Sequence, residues 1–276
     1  MKVREALSYL REELVRIEEK IYAQQEAQDI IAHFLNISPL NVYLHLEKDV
    51  PFEALHQILK ERLTGKPLPY ILKKAFFFGR AFYIEEGVLI PRGETELIVE
   101  VFLQLGIEEG WILELGCGSG IISITLLLER PKLKVLAVDV SSKALTVAKI
   151  NAQKYQVEER LFLIRGNWLS SLKEQPLFKA IISNPPYLSL EEWETLPWEV
   201  KDFEPKEALI AGPKGTEYQE IIIREGYKYL YPQGFILFEM GYNQAPKIEE
   251  LIHKSSYKIF KDLLGYPRVV LIWRED

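Results

Sequence analysis

The chain is short of the residues that build metal centres and disulfide scaffolds: 276 residues include one cysteine, two methionines and four histidines. One thiol closes no intramolecular disulfide, and the histidines show no zinc-like spacing around it, so no metal is expected. Long apolar runs are missing too. The most apolar stretch, residues 121–128, is far below the roughly 20 residues that a bilayer crossing needs. Arg4, Glu5, Arg11, Glu12 and Glu13 interrupt the first residues, where a secretory signal would carry an apolar block. A cytoplasmic protein with no membrane partner is expected. Positive charge is not in excess: 34 Lys+Arg against 40 Asp+Glu give −6, the wrong sign for a broad phosphate-gripping surface. Extended nucleic-acid binding is not expected.

What is present is an ordinary globular composition, 48% hydrophobic and 27% charged, long enough for one large or two modest domains. Residues 1–73 carry a helical period. Leu7, Leu10, Leu14, Ile17 and Ile21 step by three and four along one face; Ala27, Ile30, Ile31, Phe34 and Leu35 make a second, Ser38-Pro39 opens a third, and Phe52, Leu55, Ile58, Leu59 and Leu63 mark a fourth. Thr64-Gly65-Lys66-Pro67 is expected to end the helical segment of an all-helical domain over 1–73. Residues 76–84 and 88–90, around Glu85-Glu86-Gly87, suggest a β-hairpin connector over 74–92. From 93 to 276, apolar strands at 111–115, 135–138, 161–164, 180–183, 234–239, 257–261 and 269–273 alternate with helical patterns, which argues a doubly wound α/β sheet. The last two strands are too close for a crossover and are expected to be antiparallel.

Glu114-Leu115-Gly116-Cys117-Gly118-Ser119-Gly120 joins the first strand of this sheet to a helix, the place where open α/β sheets bind ligands. A dinucleotide loop would have its third glycine one residue later; the spacing and the preceding acid fit an S-adenosylmethionine loop instead. The glycines let backbone approach the aminoacyl arm, and Glu114 is an anion suited to its ammonium and sulfonium end. Cys117 and Ser119 read as small loop fillers within that cofactor loop. Asp139 ends the next strand, 23 residues after Gly116, where a carboxylate accepts both ribose hydroxyls. A plain tight turn and a helix cap before Ser141-Ser142 are the bland readings of the same residues. After the third strand, Asn167 and Trp168 stand where adenine is read and stacked, or where a buried tryptophan simply packs.

Ser183-Asn184-Pro185-Pro186-Tyr187 leaves the fourth strand. Two prolines fix the backbone and delete two amide donors, so carbonyl oxygens are expected to face the cleft. Asn184 adds a side-chain oxygen and Tyr187 a flat apolar face. Such an acceptor array suits a conjugated NH2 nitrogen. As that nitrogen attacks a methyl group its hydrogens become more acidic, so acceptors aimed at them favour the transition state over the ground state. Asn184, Pro185 and Tyr187 are the expected catalytic residues, and Asn184 to Tyr187 the substrate loop. A rigid turn alone is the bland alternative.

These residues, together with residues 63–71, Ile90-Pro91-Arg92-Gly93-Glu94-Thr95-Glu96 and Phe203-Glu204-Pro205, resemble the HemK/PrmC protein-glutamine methyltransferases over nearly the whole chain. The resemblance implies a Rossmann-like class I S-adenosylmethionine-dependent methyltransferase sheet behind an N-terminal helical substrate-recognition domain. It also implies cofactor contacts at Gly116 to Gly120, Asp139, Trp168 and Asn184, and methylation of the glutamine in the Gly-Gly-Gln loop of peptide chain release factors. Gly93 stands where that family usually has proline, and Asn167 where an acid is common. Read from the residues alone, Arg92 to Glu96 is an acid-rich first helical turn. The rival readings are an adenine amino-methyltransferase acting on DNA or RNA, a glutamine methyltransferase acting on a ribosomal protein, and a cofactor-binding module without catalysis.

Overall fold

The computed structural model describes residues 1–252 and 255–274, which fall into two units, 1–74 and 75–276. In the first, α1 (Val3–Leu14), α2 (Lys20–Leu35), α3 (Phe52–Arg62) and α4 (Leu68–Leu72) turn small and aliphatic side chains inward. Leu7, Leu10, Leu14, Ala27, Ile30, Ile31, Leu55 and Leu59 are buried as the period predicts. The first helix is shorter than its pattern. It ends at Leu14, and Ile21 is 71% exposed in the next helix. The break brings Glu18 to the buried Arg62 guanidinium, whose Nε also donates to Glu26 at 2.8 Å. A buried cation left unpaired would cost several kcal/mol, of order 3–5, and this tertiary demand overrides helical periodicity. Residues 64–67 do not end the helical segment, because α4 follows with a proline in its first turn, where a missing N–H costs nothing; the unit itself runs to 74, one residue past the expected 73.

The second unit opens with β1 (Ala75–Phe77) and β2 (Arg80–Phe82), paired through Phe77 and Arg80. Both turn residues, Phe78 (φ 49°) and Gly79 (φ 71°), are left-handed, the two-residue geometry whose twist matches the strands. The hairpin therefore lies within the first apolar run, and residues 88–90 form no strand, contrary to the sequence reading. The Glu96 carboxylate accepts the Phe78 N–H at 2.6 Å, and Phe77 and Phe82 are buried in the main core.

There follow α5 (Glu96–Gln104), β3 (Glu109–Leu115), α6 (Ile121–Glu129), β4 (Lys132–Asp139), α7 (Ser142–Lys154), β5 (Leu161–Arg165), β6 (Phe178–Ser183), β7 (Leu188–Ser189), α8 (Leu190–Thr195) and α9 (Trp198–Phe203). The chain closes with β8 (Ile210–Gly212), α10 (Glu217–Glu225), β9 (Leu230–Glu239), α11 (Ala245–Ile252), β10 (Tyr257–Lys261) and β11 (Pro267–Trp273). Seven strands form one sheet in the order β10-β11-β9-β6-β3-β4-β5. All pairs are parallel except those of β11 with β9 and β10. Alternate residues face opposite layers: Ile112, Val135, Ile182 and Leu271 one way, Leu113, Val138, Ile181 and Ile272 the other.

From β3 the chain winds outward through β4 to β5, then returns to β6 on the other flank of β3. The loops after β3 and β6 consequently part, and a crevice opens at their carboxyl ends. Register pairs Leu115 with both Val138 and Ser183, and the Ser183 hydroxyl donates to the Leu115 carbonyl at 2.7 Å. Two motifs 68 residues apart thus share one rim. No described helix is long and apolar enough to cross a membrane.

Candidate active site

A cavity of about 290 Å³ occupies the crevice. Its wall includes Gly116, Gly118, Asp139, Asn167, Trp168, Asn184 and Pro186, together with Gly87 to Leu89, Pro205, Glu207, Ala208 and Tyr218.

The glycine loop is shaped by three left-handed residues, Gly116, Gly118 and Gly120. A Cβ on Gly118 would meet open space, so φ alone demands glycine there, whereas one on Gly120 would press Ala148 and Ile124 at 3.1 Å. Gly120 thus lets α6 pack close to α7. Being the residue before α6, it also leaves that helix without a side-chain cap. Glu114 fills the role: its Oε2 accepts the Ser123 N–H at 3.1 Å and the Ser123 hydroxyl. Glu114 shares the strand face of Ile112, beneath α6, and lies off the cavity wall. Burial outweighs its two hydrogen bonds and pushes its pKa up to about 8. The expectation of a free anion facing the cleft is therefore corrected: this carboxyl holds its proton near neutrality and serves first as a helix cap. Its Oε1 is buried without a partner. Cys117 and Ser119 are buried, and burial also raises the Cys117 thiol well above its ordinary value, in line with their reading as fillers.

Asp139 stands half-buried on the wall. Its Oδ2 accepts the Gly118 N–H at 2.8 Å and its Oδ1 the Ser141 N–H at 2.9 Å. The helix-cap reading fails in detail, since the cap of α7 is the Ser141 hydroxyl, accepting from Ala144. Burial raises the Asp139 pKa against the bonds from Ser141, Gly118 and Val140. Each carboxylate oxygen keeps a lone pair. Trp168 sits at φ 51°, a strained conformation for a bulky side chain, and stacks on Tyr218 at 4.3 Å and 25°. Asn167 is exposed at the same rim.

On the opposite rim, Asn184 Nδ2 donates to the Thr95 hydroxyl at 3.0 Å, and that hydroxyl donates to Glu239 Oε2 at 2.7 Å. Thr95 and Glu239 are buried, and burial pushes the Glu239 pKa up to about 7. With its nitrogen bonded to Thr95, Asn184, itself on the cavity wall, has Oδ1 as the amide atom left for a ligand. Pro185 and Pro186 are buried, Pro186 facing the cavity. Not every backbone oxygen of the loop is open, however. The Tyr187 carbonyl accepts Gln244 Nε2 at 2.7 Å, while the same amide donates to Gly215 at 2.8 Å and accepts the Gly241 N–H at 2.9 Å. Pro185 and the Tyr187 ring lie off the cavity wall, and burial, then Glu239, raises the Tyr187 phenol, which stays neutral.

Sequence reasoning passed over Thr95 as a site residue, and missed Glu239, Gln244 and Tyr218. One signal was available: Glu239, like Asp139, is an acid closing an apolar strand at the ligand-binding edge. Arg92 pairs with the buried Glu204 at 2.5 Å, tying the turn before α5 to the segment that supplies Pro205 and Glu207. Among the described residues no group of three or more His, Cys, Asp or Glu is placed to hold a metal ion.

Residues 5–72 match the PrmC N-terminal domain and residues 93–197 the Methyltransferase small domain. A release factor glutamine methyltransferase of Aquifex aeolicus is 40% identical over 95% of both chains. A bifunctional methyltransferase of Rickettsia felis is 34% identical over 90% of this chain, which spans only 54% of that longer protein. Among solved structures, a methyltransferase from Pyrococcus furiosus shares the fold, with a TM-score of 0.53 at 18% identity over 79% of this chain and 98% of its own. With a matching helical unit, a matching methyltransferase domain and a 40% identical relative covered over 95% of its length, the chain belongs to the release factor glutamine methyltransferase family.

Proposed function

We propose that this chain methylates the side-chain amide nitrogen of the glutamine in the Gly-Gly-Gln motif of peptide chain release factors, in the cytoplasm, using S-adenosylmethionine. The orientation of Asn184 carries the reading: an amide whose nitrogen is bonded inward offers an oxygen to an incoming N–H.

The cavity fits the cofactor. Open space above Gly118 admits the aminoacyl arm, Asp139 has lone pairs left for ribose hydroxyls, and Trp168 with Tyr218 forms an aromatic wall for adenine. When bound, the cofactor supplies an electrophilic methyl group on a sulfonium centre. Asn184 Oδ1 and a backbone carbonyl of the proline loop accept the two N–H groups of the glutamine amide. An amide nitrogen is a poor nucleophile because its lone pair is conjugated, with a rotation barrier of about 18–20 kcal/mol. The acceptors offset part of that loss as the N–H groups become acidic, each contributing about 3 kcal/mol by analogy with a single oxyanion-hole donor. No strong base is needed, since the methylated cation releases its proton to solvent.

Net charge of −6 argues against a nucleic acid as substrate, because neither unit offsets phosphates. Incubation with methyl-labelled cofactor and purified release factors, followed by mass spectrometry, tests the reading: label is expected on the Gly-Gly-Gln glutamine. Label confined to a ribosomal protein or to nucleic acid would overturn it.

A further inference from the structure

We infer that Thr95 and Glu239 are positioning residues that fix which end of the Asn184 amide meets the substrate; the inference rests on the assignment of Asn184 as the substrate acceptor. An ionised Glu239 can only accept, so the Thr95 hydroxyl must spend its one hydrogen on Oε2, 2.7 Å away. The Thr95 oxygen then has only lone pairs to offer. Asn184, 3.0 Å from it, can satisfy that oxygen with NH2 but not with C=O. Its oxygen is therefore turned to the cavity, where an acceptor is needed. Turned the other way, the amide would meet the glutamine NH2 with a second NH2, donor against donor, and transfer would stop.

The three residues come from distant parts of the chain, Thr95 just before α5, Asn184 after β6 and Glu239 at the end of β9. Thr95 and Glu239 are no more than 1% exposed, so water does not blur the polarity of the relay. Protonation does. A neutral Glu239 carboxyl can donate to Thr95, freeing the hydroxyl hydrogen for Asn184 and removing the bias on the amide. The charged and titratable groups facing Glu239 are Arg268 on β11, Arg92 and Glu94 before α5, and Tyr187 after Pro186, with the cations lowering its pKa and burial raising it to about 7. Turnover is accordingly expected to fall as the pH drops below about 7.

Three variants separate the possibilities. Thr95→Val, nearly isosteric but without the hydroxyl, is expected to lose roughly 10- to 100-fold in kcat, less than the 10²–10³ for deleting a donor outright. Its cofactor dissociation constant by calorimetry should stay within about twofold, and Thr95→Ser should restore kcat to within about threefold, since only the hydroxyl matters to the relay. Glu239→Gln keeps shape but can donate or accept, and is expected to give a reduced kcat without the acid limb of the wild-type profile. Full turnover in Thr95→Val, or an unchanged acid limb in Glu239→Gln, overturns the relay. Asn184→Ala decides the underlying reading separately: its full turnover would remove Asn184 from catalysis, whereas an inactive Asn184→Ala beside an active Thr95→Val leaves the reading standing and sinks only the relay. Should Thr95→Val fail to fold by thermal melt, the Glu239→Gln profile and the Thr95→Ser rescue decide alone.

Discussion

The two rims of the cleft dispose of their backbone N–H groups in different ways. On the β3–β4 rim, carboxylates at strand ends arrange backbone N–H groups: Glu114 holds Ser123, and Asp139 holds Gly118 and Ser141. On the β6 rim two N–H groups are deleted by Pro185 and Pro186, and side-chain amides govern what remains, Asn184 toward the cavity and Gln244 beneath Tyr187. One wall thus locks its N–H groups onto its own carboxyls, and the other deletes them. The first suits a zwitterionic, hydroxyl-bearing cofactor, and the second a nitrogen that must part with its hydrogens. The difference teaches where each rim is fragile: one depends on left-handed backbone that only glycine adopts freely at 116, 118 and 120, the other on the polarity of single residues.

The most damaging test of that contrast is Asn184→Ala. Deleting the exposed acceptor is expected to cost about 10²–10³ in kcat with cofactor affinity nearly kept; a steady-state comparison beside calorimetry reads both. Asp139→Ala should do the converse, weakening cofactor binding by roughly 10- to 100-fold, about 1.5–3 kcal/mol for charge-assisted hydrogen bonds, with a milder fall in saturated turnover. Gln244→Leu strands the Tyr187 and Gly215 carbonyls and should destabilise by about 1–3 kcal/mol, read by urea unfolding, while lowering kcat through a loosened loop. A further effect is on the pH dependence of stability. Glu114 titrates near 8 when folded and near 4.5 when unfolded, so the folded chain holds the extra proton between these values. Its contribution is present in full below the unfolded value and is lost as the pH rises through about 8, with a slope of about 1.4 kcal/mol per pH unit in between. Denaturation midpoints at pH 6 and pH 9 should differ in that sense, and Glu114→Gln should flatten the difference.

Much of this frame is legible in the sequence, because strand alternation, the glycine spacing and the proline pair are local signals. The seven sheet strands, the antiparallel final pair and the crevice between Gly116 and Asn184 follow from them. Three features escape. The hairpin turn at Phe78-Gly79 hides inside an apolar run, since nothing marks a phenylalanine for left-handed backbone. The break after Leu14 obeys a buried guanidinium 48 residues away, not the helical period. The Thr95–Glu239 contact spans 144 residues and exists only after the sheet has formed. Glu114 was visible as an acid at the right place, yet its orientation came from strand parity, which sends it under α6.

Cys117 has a practical consequence. The chain's sole sulfhydryl is 3% exposed, and its thiolate is disfavoured by burial and by the neighbouring carboxyls. Maleimide reagents should leave the native fold untouched, so a pair of cysteines, one installed on each unit, would take a donor and an acceptor fluorophore, and distances between the units could be followed by energy transfer without first removing the native thiol.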